Sequence, residues 1–103
     1  FDYSNSHFPM FTYSDKIIWA NDAALKFFEL DDIDQVLYRR FEDFAPDIQP
    51  DGQSITAKID FAINTAMKDD SAVIRLQFYS QSQRFKYAEI TVKRLPEKFL
   101  FMF

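Results

Sequence analysis

A chain of 103 residues with 48% apolar and 27% charged side chains is long enough for one domain, residues 1–103, around a single core. It has no cysteine, which excludes disulfides, thiolate metal sites, thiol nucleophiles and thioether-linked cofactors. Thirteen Phe against one Gly describe an aromatic-rich globule rather than a disordered or repetitive chain, and the net charge of −4 disfavours nucleic acid as a partner.

The polar start, residues 2–7, reads as an ordered tail or a linker remnant. Phe8 to Tyr13 predicts a first strand, and Ser14-Asp15-Lys16 a tight turn into a second, Ile17 to Ala20. Asn21 is a strong N-cap for a helix over Asp22 to Leu30, because its side-chain oxygen can accept an orphan N–H of the first turn. Asp22 adds negative charge at the positive end of that helix. Ile33 to Arg40 predicts a short helix presenting Ile33, Val36 and Leu37, and Phe41 to Phe44 one further turn. Pro46, Pro50 and Gly52 then break the chain.

Ser54 predicts the N-cap of the longest helix, which runs to about Lys68. Ile55, Ile59, Ala62 and Ala66 form its apolar stripe and Phe61 falls on the opposite, polar side, where a neighbouring loop is expected to cover it, with contact to a partner as the alternative. Asp69-Asp70 ends the helix, since Asp tolerates the left-handed conformation. Ala72 to Tyr79 alternates, with Ala72, Ile74, Leu76 and Phe78 on one face. Phe85 to Leu95 alternates again, setting Ala88, Ile90 and Val92 against Tyr87, Glu89, Thr91 and Lys93. The last strand, Phe99 to Phe103, is apolar on both faces and belongs in the middle of a sheet. The order predicts an α+β domain, a five-stranded antiparallel sheet with helices packed on one face.

Two segments carry a resemblance. Ile17-Ile18-Trp19-Ala20-Asn21-Asp22-Ala23-Ala24 is a strand turning into a helix at an Asn, and Phe44 to Ser54 is a Gln-Pro-Asp-Gly loop leading into the long helix. With three strands following, this ordered set resembles the PAS sensory domain over nearly the whole chain. The chain departs from the family where Tyr38 and Asp70 stand in place of frequent glycines, and where Ser80-Gln81-Ser82-Gln83 replaces an Asp-Gly turn. The resemblance implies a PAS-like sheet with the first and last strands central. It also implies a sensory and dimerising module of bacterial signal transduction, regulating an output domain of the same polypeptide. A GGDEF diguanylate cyclase or a histidine kinase is the expected output.

Charge is uneven along the chain: residues 22–70 hold 12 acidic and 5 basic side chains, residues 71–103 hold 2 and 6. Such asymmetry suits packing against another domain or a second copy. A homodimer is expected, formed through the outer sheet face and the N-terminal segment, because the last strand and its neighbours carry more apolar side chains than one core can bury. The absence of cysteine fits a cytoplasmic setting. No apolar run approaches the roughly 20 residues that cross a bilayer, so direct membrane insertion is not expected. The start at Phe1 and the end inside an apolar run suggest a segment of a longer protein.

Catalysis is not expected from Glu42, Asp43, Asp47 and Asp51, which match no metal-loop spacing and read as a solvated loop. His7 is the single His, so no metal site of nitrogen and sulfur ligands can be assembled. The resemblance disfavours haem, since no His lies on the long helix, and covalent flavin, since no Cys is present. No cofactor is expected; a ligand, if bound, is a small colourless metabolite, with non-covalent flavin the remaining coloured route. The candidate pocket is lined by Phe28, Leu37, Phe44, Ile59, Leu76, Phe78 and Ile90, with Tyr38, Arg39, Asn64 and Tyr87 as polar groups. A core simply filled by Phe rings competes with it. A ligand-free interaction module and, less favoured, a small α+β enzyme are the other functional readings.

Overall fold

A computed structural model describes residues 7–103, so the expected tail and the N-terminal segment of the expected dimer surface lie, up to residue 6, outside the described residues. Its strands are β1 (Met10–Ser14), β2 (Lys16–Ala20), β3 (Ser71–Tyr79), β4 (Phe85–Leu95) and β5 (Lys98–Met102), and its helices α1 (Asp22–Phe27) and α2 (Ile55–Asp69). The strands form one antiparallel sheet in the order β2-β1-β5-β4-β3. The two-sided apolarity of the last strand is explained by that order, because β5 lies between β1 and β4. Its Phe101 faces a core shared with Phe11, Ile90 and Val92. Leu100 on the opposite face is also buried.

Asn21 caps α1 and fastens it to β1. Its Oδ1 accepts the N–H of Ala24 at 2.9 Å and that of Met10 at 3.0 Å, while its Nδ2 donates to the Phe8 carbonyl at 2.9 Å. The helix then stops short of the expected Leu30. Glu29 takes a left-handed φ of 60°, and the N–H groups of Glu29 and Leu30 turn back onto the carbonyls of Lys26 and Leu25. That is a Schellman ending with Glu in the place usually held by Gly.

The helix expected over Ile33 to Arg40 is a single 3₁₀ turn, Ile33–Gln35. Asp32 accepts the N–H of Asp34, and the Gln35 side chain accepts those of Asp31 and Asp32, which locks the turn at its start. It cannot propagate, because Tyr38 adopts φ 63° to donate its N–H to the Ile17 carbonyl, and Ile17 donates to Arg39. Pairing with the edge of β2 outweighs continued helix, and it places a left-handed residue where the family often has Gly. Phe41–Phe44 forms the expected further turn, also 3₁₀.

Ser54 caps α2 through the Ala57 N–H, and Asp70 ends it at φ 71°. Ile55, Ile59, Ala62 and Ala66 are buried along α2, which packs on β3 and β4. Phe61 is not absorbed by a loop: it stands 64% exposed.

Candidate functional site

The interior between helices and sheet is packed with rings. Phe11, Phe28, Phe41, Phe78 and Phe101 are fully buried. Phe28 meets Phe78 edge-on with centroids 5.3 Å apart and Phe44 at 5.0 Å, while Phe78 stacks on Phe103 at 5.3 Å. Phe41 lies 4.8 Å from Phe101 and 5.2 Å from Phe11. These separations are those of rings in contact.

Of the residues predicted to line a pocket, Phe28, Ile59, Leu76, Phe78 and Ile90 are buried in this one core and half-buried Phe44 packs against it. Leu37 is half-buried beside the 3₁₀ turn, outside the buried core set. Tyr38, Arg39, Asn64 and Tyr87 are all exposed and bring no polar group into the interior. Each has a local reason. The backbone of Tyr38 and Arg39 is spent on Ile17. Asn64 lies off the Ile55–Ile59–Ala62–Ala66 stripe. Tyr87 points to the outer face, where the Gln77 amide donates to its hydroxyl at 3.1 Å.

Polar groups that sequence reasoning passed over are buried elsewhere. Gln49, in the loop before α2, is 2% exposed. Its Oε1 accepts the Gln77 N–H at 2.6 Å, and its Nε2 donates to the carbonyls of Gln77 and Pro46, each at 3.1 Å. The β3–β4 turn is tied to the end of α1: the Gln81 N–H donates to the Phe28 carbonyl at 3.0 Å and the Ser82 N–H to Glu29 at 3.1 Å. Hydroxyls of Ser80 and Ser82, with that N–H, hold the Glu29 carboxyl down at about 2. Burial, with the Glu42 charge adding to it, pushes the Tyr13 phenol up to about 12. Lys58 and the Gln53 N–H lower Asp51. Gln49 opens the Gln-Pro-Asp-Gly loop, but nothing in the sequence marks its side chain for burial against β3, whereas the polar Ser80–Gln83 turn offers hydroxyls for docking.

The clefts lie outside the ring cluster. One of about 830 Å³ runs along β3, between the Gln49–Gln53 loop, Phe61 of α2 and the side chains of Val73 and Tyr87. Another, about 940 Å³, lies at the β4–β5 turn beside Met67, Arg94 and Phe99. Among the described residues no group of three or more His, Cys, Asp or Glu could hold a metal ion. Neither cleft offers a base paired with a nucleophile, so the geometry is one for binding and contact.

The architecture and the sequence meet in one comparison: the family model described as the PAS domain matches residues 3–60. The chain belongs to the PAS domain family. PAS domains are sensory modules rather than catalysts, and this one carries the family's five-stranded sheet and helices. A search of curated proteins finds no significant match. Among solved structures, the chain is similar to the PAS domain of a two-component sensor histidine kinase, at 19% identity and a TM-score of 0.64 over 97% of this chain and 86% of that one. It is also similar to the PAS domain, in complex with ethanol, of a LuxR-family transcriptional regulator from Burkholderia thailandensis. That likeness has 14% identity and a TM-score of 0.77, over 100% and 96% of the two chains. The PAS domain of an HTR-like protein from Haloarcula marismortui matches at 14% identity and 0.70, over 97% and 82%. At these identities the likeness is one of fold. Among the described residues of this PAS domain no helix is long and apolar enough to cross a membrane.

Proposed function

We propose that this PAS domain is the sensory and dimerising input of a cytoplasmic bacterial signalling protein, acting on a histidine kinase or a GGDEF diguanylate cyclase in the same polypeptide. Membership of a sensory family carries the reading, and the likeness to a sensor histidine kinase PAS domain supports the first output. The domain works as a homodimer whose two arrangements are biased by a partner or a ligand, to the extent of its differential affinity for them.

The packed ring cluster favours an input that acts on contacts rather than one that fills a preformed pocket, which supports the ligand-free interaction module. No coloured cofactor is held; any ligand is a small, colourless, largely apolar metabolite admitted by ring movement. The test uses the full-length protein, assayed for ATP-dependent autophosphorylation and for cyclic dinucleotide synthesis from GTP. One activity is expected, altered at least severalfold when residues 7–103 are deleted. An output indifferent to the deletion overturns the sensory role, and absorbance above the aromatic band with stoichiometric flavin or haem overturns the colourless interior.

A further inference from the structure

β3 is an edge strand, and its register with β4 runs without a shift from Ser71–Lys93 to Tyr79–Phe85. In an antiparallel ladder alternate residues turn their N–H and C=O away from the partner strand. Gln77 is one of these, for both its backbone groups go to Gln49 beyond the sheet edge. Arg75 and Val73, two and four residues earlier, share its direction. Neither has a hydrogen bond on that side. The open stretch is bounded by the Gln49 clamp at one end. At the other the chain turns into α2 at Asp70, whose carbonyl accepts the Arg94 N–H at 2.9 Å.

Both flanks of this edge are apolar and uncovered. Phe61 overhangs the helical side, and Val73 and Tyr87 stand on the outer side at 58% and 69% exposure. The outer face of the two central strands, by contrast, gives little surface away, with Leu100 of β5 at 2% and Met10 of β1 at 8%. The apolar surface expected on the last strand is therefore found at the β3 edge instead. Natural sheets blunt an unpaired edge unless something covers it.

We propose that the β3 edge pairs with the β3 edge of a second copy of this chain, antiparallel and centred on Val73, joining two five-stranded sheets into one. The proposal rests on the homodimer in the functional reading above and names its surface. A two-fold contact has to be self-complementary. Centring on Val73 sets Val73 against its own copy, a favourable β-branched cross-strand pair. It sets Arg75 opposite Ser71 of the second copy, next to that copy's Asp69 and Asp70. Arg75 of each chain, the one charge on β3, thus meets the acidic helix end of the other. Centring on Arg75 instead stacks like charges and drives the strand into the Gln49 clamp. The ion pairs already present, Arg75–Glu89 and Arg94–Asp70, are solvent-exposed and weakly held, so these charges re-pair at little cost.

The test combines sedimentation velocity with amide hydrogen exchange over a range of protein concentrations. The expected result is a monomer–dimer equilibrium in which the Val73 and Arg75 amides slow by about tenfold or more as dimer fills, while those of Ala72 and Ile74 do not change. Val73→Pro removes an N–H the fold does not use, and Val73→Lys brings like charges together across the axis; both are expected to remain folded monomers. Should the proline variant fail to fold, the lysine variant carries the comparison. A dimer whose Val73 and Arg75 amides exchange as in the monomer moves the contact to another face, sinking this inference but sparing the homodimer. A monomer at every concentration sinks both. Protection that appears only with a different peptide gives the edge to another occupant and overturns the proposal.

Discussion

Gln49 holds Gln77 from outside the sheet, its carboxamide occupying the place where a sixth strand would pair. The Gln77 N–H reaches Oε1 at 2.6 Å and its carbonyl takes Nε2 at 3.1 Å, so a side chain imitates a strand partner. Both residues are buried, and losing the amide strands a buried N–H and C=O. Gln49→Ala is expected to cost about 1–3 kcal/mol. Its Gln77 amide should also exchange faster. An unchanged urea midpoint together with unchanged exchange at Gln77 would show that water replaces the clamp without loss.

Asn21→Ala should cost more than a lost cap. Capping alone is worth about 1 kcal/mol. Here the same side chain also serves the Met10 N–H and the Phe8 carbonyl, tying β1 to α1. With buried partners left behind, a loss of about 2–3 kcal/mol is expected. Asn21→Asp keeps the acceptor and loses the donor to Phe8, so it should fall between the two. A loss of 1 kcal/mol or less for Asn21→Ala would reduce the residue to an ordinary cap.

Strand alternation, the Asn21 and Ser54 caps and the central place of β5 were legible because each depends on a few adjacent residues. The helix predicted over Ile33 to Arg40 failed because a distant backbone, that of Ile17, competes for the amide of Tyr38. The polar lining of the pocket failed for a related reason. Tyr38 and Arg39 were placed by the chain's path against β2, which hydrophobic pattern does not encode. Tyr87 lay on the outer phase of β4 by simple alternation. Gln49 was visible as the head of the Gln-Pro-Asp-Gly loop, but its clamp on Gln77 was not, because that role exists only once β3, 28 residues further along the chain, lies beside it.

Glu29 ties acid sensitivity to the latch between α1 and the β3–β4 turn. Its carboxyl is lowered from 4.5 to about 2 in the folded chain by the Ser80 and Ser82 hydroxyls and the Ser82 N–H. A depressed carboxyl contributes stability that is present above its unfolded value and is lost as pH falls toward the folded one. The urea midpoint should therefore decline between about pH 4.5 and 2, and less steeply in Glu29→Gln. Parallel curves for the two proteins would remove Glu29 from the acid response.

Phe61→Ala should separate association from stability. At 64% exposure its ring contributes little to the monomer's core. The thermal midpoint at low protein concentration is expected to move by no more than a surface substitution does, about 0.5 kcal/mol in equivalent terms. Self-association should weaken. A large loss of stability at every concentration would restore the reading in which a loop packs over the ring.

Phe78 decides whether the interior is full. Its ring stacks on Phe103 and meets Phe28 edge-on, each at 5.3 Å, and it has no exposed surface. Because neighbouring rings fill the surrounding space, they can collapse only in part when it is removed, and Phe78→Ala is expected to cost about 3–5 kcal/mol. The void so made is apolar and should stay dry, as such cavities do. A small aromatic probe such as benzene should then raise the melting temperature of Phe78→Ala and leave the parent unchanged, by mass action on the folded state. Should the parent itself be stabilised by the probe, a cavity already exists among the rings. The sensory input would then be ligand occupancy rather than contact.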